Sequence, residues 1–201
     1  PNKEYEMKKF IIALFLLFNA AFADDELIIN SASAYSSVMR TNSQYKYLAQ
    51  QARAIVIFPS VKKLGFIIGG MYGEGIIVYN NDGARSVSGA EISSASIGLQ
   101  IGYEDNYLVI FVMNDDVIEK MRKSQITLSG DATAVAGNYS ADSGALDVLN
   151  QDMYVFTNKG GLFAGVSLGG SVLETKNDRA FDSNSDGYAF LMRIIGAEGG
   201  Y

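Results

Sequence analysis

Apolar residues recur at helical spacing from Asp24 to about Ala52, where Ala34, Val38, Tyr45, Leu48 and Ala52 share a face. Asp24, Asp25 and Glu26 lie where negative charge favours a helix N-terminus. One or two amphipathic helices are predicted here. The pattern then changes: Ala54 to Phe58 is a short unbroken apolar run, the mark of a buried strand, and Pro59 is expected to stop it in a turn. Strand-like runs follow at Gly65 to Tyr79, Arg85 to Tyr103 and Tyr107 to Met113, separated by the turn signals Asn80-Asn81-Asp82-Gly83 and Glu104-Asp105-Asn106. Asn114 to Lys123 reads as a short helix with Asn114 or Asp115 as N-cap, and Ile126 to Tyr139 returns to strand character. Met153 to Thr157 and Gly161 to Glu174 read as a hairpin about Asn158-Lys159-Gly160, and Asp186 to Ile195 as a last helix.

Glycine is dense within these strands, at Gly69, Gly70, Gly73, Gly75, Gly98, Gly102, Gly165, Gly169 and Gly170. Interior glycine weakens a strand unless bending or close approach requires it. The predicted fold class is therefore α+β: a strongly curved, mainly antiparallel glycine-rich sheet, barrel-like if it closes on itself, with an N-terminal amphipathic helical segment and short flanking helices.

Ahead of this pattern stands an export signature. Lys8 and Lys9 form a positive start after Met7, Phe10 to Phe18 an apolar core, and Ala21-Phe22-Ala23 a small-x-small cleavage site. Residues 7–23 are expected to be a signal peptide cleaved after Ala23, residues 1–6 upstream or fragment sequence, and 24–201 one domain. Removing residues 1–23 takes the formal charge from −6 to −7, because Lys3, Lys8, Lys9, Glu4 and Glu6 go with them. An acidic domain of this kind argues against nucleic acid as a partner. The chain has no cysteine, so it carries neither disulfides nor a lipoprotein acylation site. The expected location is periplasmic or secreted, soluble or peripherally membrane-associated.

The chain also has no histidine, which removes the usual general base and a common metal ligand. No catalytic residue, metal or cofactor is expected. Gly165-Val166-Ser167-Leu168-Gly169 matches G-x-S-x-G but lies inside a predicted strand with no partner base. Ser60-Val61-Lys62-Lys63 matches S-x-x-K without its supporting K-T-G and S-D-N elements. Asp182 to Gly187 imitates the first half of a calcium loop, but Arg193 stands where the closing glutamate belongs, so a turn capping the last helix is expected.

Several of these segments together resemble the SYLF family of lipid-binding domains: Phe58-Pro59-Ser60-Val61-Lys62-Lys63-Leu64-Gly65-Phe66-Ile67-Ile68-Gly69-Gly70 with Gly73-Glu74-Gly75, Ser96 to Gly102, Ala132 to Gly137, and Lys159 to Ser171. The resemblance implies a non-enzymatic domain that binds phospholipid at a membrane face. Eukaryotic members bind phosphoinositides and yeast relatives act at actin patches. Bacterial members are exported, which argues against carrying actin over as a partner. Lys62 and Lys63 beside Pro59 are the first candidates for lipid contact, with Arg40, Lys46 and Arg53 on the helical segment as second choices. The alternative is an envelope protein-interaction or structural component, docking through exposed strand edges.

Overall fold

A computed structural model describes residues 23–41, 45–65, 68–81, 83–97, 102–123, 125–128, 130–136, 151–158 and 168–199. Except for Ala23, the expected signal segment 7–23 lies outside the described residues, as does most of the G-x-S-x-G match.

The first elements among the described residues are helix α1 over 23–41 and α2 over Tyr45–Gln51. Four long strands follow as an antiparallel meander: β1 Ala54–Gly65, β2 Ile68–Asn81, β3 Ala84–Ile97 and β4 Gly102–Val112. Helix α3, Asp115–Lys123, is followed by the short strands β5 Gln125–Thr127, β6 Ala134–Ala136, β7 Met153–Thr157 and β8 Val172–Lys176, and by helix α4, Asp186–Gly199. The sheet order is β5-β8-β3-β2-β1-β4-β7-β6, antiparallel throughout except for the β6–β7 pair.

That order forces curvature. The two terminal strands, β5 and β6, are consecutive in sequence, and the chain from Thr127 to Ala134 reaches at most about 25 Å. Eight flat strands would hold their outer members about 34 Å apart. The sheet curls instead, and a parallel bridge between Leu128 and Ala132 ties its two ends together. The predicted α+β class with a strongly curved, mainly antiparallel sheet and flanking helices is the fold observed.

Each face of the curl buries its own core. Inside, Val56, Phe58, Val61, Ile77, Ile92, Leu108, Ile110 and Leu173 pack with Val117, Ile118 and Met121 of α3. Outside, Ile55, Ile57, Ile76, Val78, Val109 and Phe111 pack beneath α1, α2 and α4, through Tyr35, Leu48, Leu191 and Ile195 among others. Burial on both faces is why Ala54 to Phe58 is apolar without alternation. Aromatic edges fasten the outer layer, with Phe111 5.4 Å from Phe156 and 6.3 Å from Tyr35, and Tyr45 4.4 Å from Phe156 between ring centroids. The helical positions Ala34, Val38, Tyr45, Leu48 and Ala52 are all buried in this layer.

The helix caps follow the sequence signals. Asn114 Oδ1 accepts the Asp116 N–H at 2.8 Å to open α3, and Ser185 Oγ accepts the Tyr188 N–H at 3.1 Å to open α4. The Asp182 turn is thus a capping turn. Asp152 braces the other side of the α3 start. It accepts from Asn114 Nδ2 at 2.8 Å and from both the N–H and the hydroxyl of Thr133 at 2.9 Å.

Two expectations are corrected. Pro59 does not end the first strand: β1 runs through it to Gly65, and Lys62 and Lys63 are strand residues rather than turn residues. One extra residue is accommodated in β1 between Ile57 and Val61, against both β2 and β4, so the proline occupies a bulge where its missing N–H breaks no ladder bond. Glu104-Asp105-Asn106 is not a turn but the interior of β4, paired with Lys63, Lys62 and Val61. The turn and most of the second arm of the expected hairpin about Asn158-Lys159-Gly160, residues 159–167, lie outside the described residues; within them β7 pairs with β4 and β6, and β8 with β3 and β5, on opposite flanks of the meander.

Two glycines make the bulge possible. A Cβ at Gly73 would lie 2.8 Å from Val61 Cγ2 and 2.9 Å from the Ser60 carbonyl oxygen. One at Gly75 would lie 2.6 Å from Phe58 Cδ1 and run into the Ile57 carbonyl. Gly75→Ala is therefore expected to destabilise the fold by about 3 kcal/mol, the scale of an overpacked core, read as a lower urea midpoint. An unchanged midpoint would show that β1 relaxes around the methyl group.

The backbone N–H of Thr133, together with Asn114 and the Thr133 hydroxyl, outweighs burial and holds the Asp152 carboxyl below its ordinary value. Its contribution to stability is then complete above about pH 4 and disappears as pH falls through the lowered folded value. Asp152→Asn should lower the melting temperature at pH 7, with the gap to the parent closing toward pH 2. A gap that does not vary with pH would contradict this.

Candidate functional surface and cleft

The bulge sets which side chains of β1 reach the outer face beyond the helices. Before it, Ile55 and Ile57 point outward; after it, Val61 points into the inner core and Ser60, Lys62 and Leu64 take the outer phase. Leu64 pairs with Tyr103 of β4, and Lys62 lies between Tyr72 of β2 and Asp105 of β4. Paired residues share a face, so Leu64, Tyr103 and Tyr72 gather around Lys62. All three are exposed, Leu64 and Tyr103 at 60% and Tyr72 at 47%. Together they form an exposed cluster of large apolar groups on the sheet.

Beside this patch the first turns of α1 overhang β1 and β2, leaving an open cleft of about 400 Å³. Glu26 and Asn30 form the helical wall, Lys62 and Tyr72 the sheet wall, and Glu74 and Arg179 the far side. Arg179 fixes the overhang: its Nη2 lies 2.6 Å from Asp24 Oδ1 in α1, and its Nη1 lies 3.2 Å from Glu74 Oε2 in β2. The arginine stem fits over Gly89, where a Cβ would lie 2.9 Å from Arg179 Cδ.

Glu74, Glu91 and Glu174 stand directly opposite one another across β2, β3 and β8. Like charges in register repel, and two cations offset this row. Besides Arg179 on Glu74, Lys176 Nζ sits 3.0 Å from Glu91 and 2.9 Å from Glu174, whose hydrogen bonds hold the ammonium charged well above the ordinary lysine range.

The five cationic candidates do not converge. Lys62 and Lys63 point to opposite faces, because neighbours in a strand alternate, and Lys63 pairs across the ladder with Glu104. Arg40 lies 3.7 Å from Glu198 of α4, Arg53 lies 3.4 Å from Asp115 of α3, and Lys46 is exposed on α2. Arg53 immediately precedes β1, whose length puts it about 25 Å from Lys62, and neither Arg40 on α1 nor Lys46 on α2 lines the cleft. Among the five, Lys62 alone joins the apolar patch and the cleft.

Ser60 and Lys63, the S-x-x-K pair, also take opposite faces, and the Ser60 hydroxyl donates to Asp105 Oδ1 at 2.6 Å. Among the described residues no group of three acidic side chains is arranged to hold a metal ion. No helix among them is long and apolar enough to cross a membrane.

Comparison with known proteins adds the family. The model described as Ysc84, Las17-binding protein actin regulator, matches residues 93–188, from β3 into α4. An SH3 domain-containing protein of Schizosaccharomyces pombe is 36% identical over 134 residues, covering 63% of this chain and 31% of that protein. The human SH3 domain-containing YSC84-like protein 1 is 35% identical over 132 residues, covering 63% of this chain and 38% of that protein. Residues 93–188 thus carry a domain of the Ysc84, or SYLF, family.

The chain spans about a third of the length of those relatives. No solved structure matches it. The family description names a binding regulator and not an enzyme. The matched region takes in Tyr103 and Arg179, while Lys62, Leu64 and Tyr72 precede it. Sequence reasoning missed Leu64, Tyr72 and Tyr103. The signal that could have found them is the alternation Ser60, Lys62, Leu64 continuing past Pro59, which becomes visible once the proline is read as a bulge.

Partial burial and the hydrogen bond from Tyr72 Oη to Glu74 Oε1, at 2.9 Å, push the Tyr72 phenol up to about 12. The difference between the ultraviolet titrations of the parent and Tyr72→Phe should therefore show one phenol ionising about two units above a free tyrosine. Glu74→Gln should move it back toward 10. A Tyr72 that titrates with the exposed tyrosines would refute the contact.

Proposed function

We propose that this SYLF domain is a non-enzymatic phospholipid-binding module that meets a membrane face of the cell envelope through the outer surface of β1, β2 and β4. The observation that carries the reading is the grouping of Leu64, Tyr72 and Tyr103 around Lys62 on the part of the outer face that α1, α2 and α4 leave uncovered. Tyrosine suits the boundary between headgroups and acyl chains because its ring is apolar and its hydroxyl polar. Leucine adds apolar area, and a lysine between them keeps its ammonium at headgroup level while its stem lies along the apolar rings. The export signature at 7–23 supports an envelope location, and with it lipid rather than actin as the partner.

With a formal charge of −6 the chain gains little from bulk attraction to anionic membranes, so contact has to come from this local patch. The alternative of docking through free sheet edges is less favoured, since the terminal strands β5 and β6 have three residues each and the Leu128–Ala132 bridge joins their ends.

Sedimentation with phospholipid vesicles tests the reading. The protein should pellet, and the pair Leu64→Ser with Tyr103→Ser should weaken partitioning by about tenfold or more, the effect of losing roughly 1.5 kcal/mol of apolar burial. Lys62→Glu should weaken it further, whereas Lys63→Glu, on the other face, should have the smaller effect. Absence of the parent protein from the vesicle pellet would refute the proposal.

A further inference from the structure

We infer that the cleft between α1 and the β1–β2 hairpin takes a phosphate–ammonium zwitterion, the headgroup of a phosphatidylethanolamine- or phosphatidylcholine-type lipid, in preference to a purely anionic one; the inference rests on the membrane reading above.

The cleft departs from the charge balance of the chain. The protein as a whole is at −6, yet the charged groups lining the cleft are two cations, Lys62 and Arg179, and two carboxylates, Glu26 and Glu74. Arg179 and Glu74 are spent on each other and on their neighbours, Asp24 and Tyr72 respectively. Lys62 on the sheet wall and Glu26 on the helix wall are both exposed and face the same space with opposite sign.

A ligand carrying only negative charge meets Lys62 but also the fields of Glu26 and Glu74. A ligand carrying only positive charge meets the reverse. A phosphate held by Lys62 with an ammonium turned toward Glu26 satisfies both walls, and complementary placement of this kind discriminates between ligands more than it adds affinity. The ring of Tyr72 adds a face on which an ammonium, primary or quaternary, is attracted by the aromatic quadrupole. The amide of Asn30 offers both a donor and an acceptor to the headgroup.

The position of the cleft fits a lipid more than a soluble metabolite. Lys62 and Tyr72 belong both to the cleft wall and to the apolar patch, so a headgroup seated against them has Leu64 and Tyr103 beside it in the direction of the acyl chains. A soluble phosphodiester would have no use for those two exposed side chains.

Vesicles of phosphatidylcholine with phosphatidylethanolamine, compared at one ionic strength with vesicles of phosphatidylglycerol, form the test. The parent protein is expected to bind the zwitterionic vesicles about fivefold more tightly, the change associated with one near-surface charge. Glu26→Gln should weaken zwitterionic binding by a similar factor and strengthen binding to phosphatidylglycerol, while Lys62→Gln should weaken both. Tighter binding of the parent to phosphatidylglycerol, or no response to Glu26→Gln, would overturn the inference and leave the membrane reading standing. Binding to neither vesicle would overturn both. Shifts of the cleft resonances with soluble glycerophosphoethanolamine, without vesicle binding, would make the ligand a free phosphodiester and overturn the lipid assignment.

Discussion

A proline in the middle of a central strand is the constraint on which the rest of this structure turns. β1 lies between β2 and β4, so each of its backbone groups is claimed by a neighbour, and Pro59 has no N–H to offer. The sheet accommodates it by admitting one extra residue to β1, and that residue shifts the phase of every side chain after it. Without the shift, Lys62 and Leu64 would follow Phe58 into the inner core, and Val61 would follow Ile57 to the outside. With it, Val61 is buried and Lys62 reaches the surface. The space the bulge takes is given up by β2, where Gly73 and Gly75 present no Cβ to the displaced backbone.

Curvature follows from connectivity more than from any one residue. The chain leaves β5 on one flank of the meander and begins β6 on the other within a few residues, so the flanks must meet. A sheet curled this far has an inside small enough to be filled by its own side chains and those of α3, and an outside too large for three helices to cover. The helices settle over the end of the meander that holds Ile55, Ile57, Val109 and Phe111. The other end of the outer face is left polar, charged and aromatic.

What could be read from the sequence is what local chemistry decides. The buried start of β1, the amphipathic face of the N-terminal helices and the caps at Asn114 and Ser185 depend on residues within a few positions of each other, and the pattern shows them. Long-range pairing is a different matter. Nothing in the spacing of 153–157 and 172–176 says that they lie on opposite flanks, because periodicity reports the face of a strand and not its neighbour. Glu104 to Asn106 reads as a turn because its polarity is that of a turn, yet in the strand Asp105 is exposed beside Lys62, Glu104 is half-buried beside Lys63, and Asn106 is a buried polar residue beside Val61. For the same reason adjacency in sequence misleads at Lys62-Lys63: two lysines form a patch in a turn and face apart in a strand.

The outer face raises a question of energy that bears on function. Leaving a leucine and two tyrosines exposed and clustered forgoes burial of roughly 1.5–3 kcal/mol for the leucine alone, which α1 could have recovered by crossing β1 nearer its far end. Instead the first turn of α1 is held over β2 by Arg179, bound at once to Asp24 and Glu74, and its helix runs away from the patch toward Glu198. The same arginine relieves the in-register glutamate row, so the sheet's charge balance and the position of the helix are one interaction. A fold that uses an ion pair to keep a helix beside an apolar patch, and not over it, maintains an open cleft and an uncovered surface together. This combination is more easily understood as a contact site than as a defect of packing.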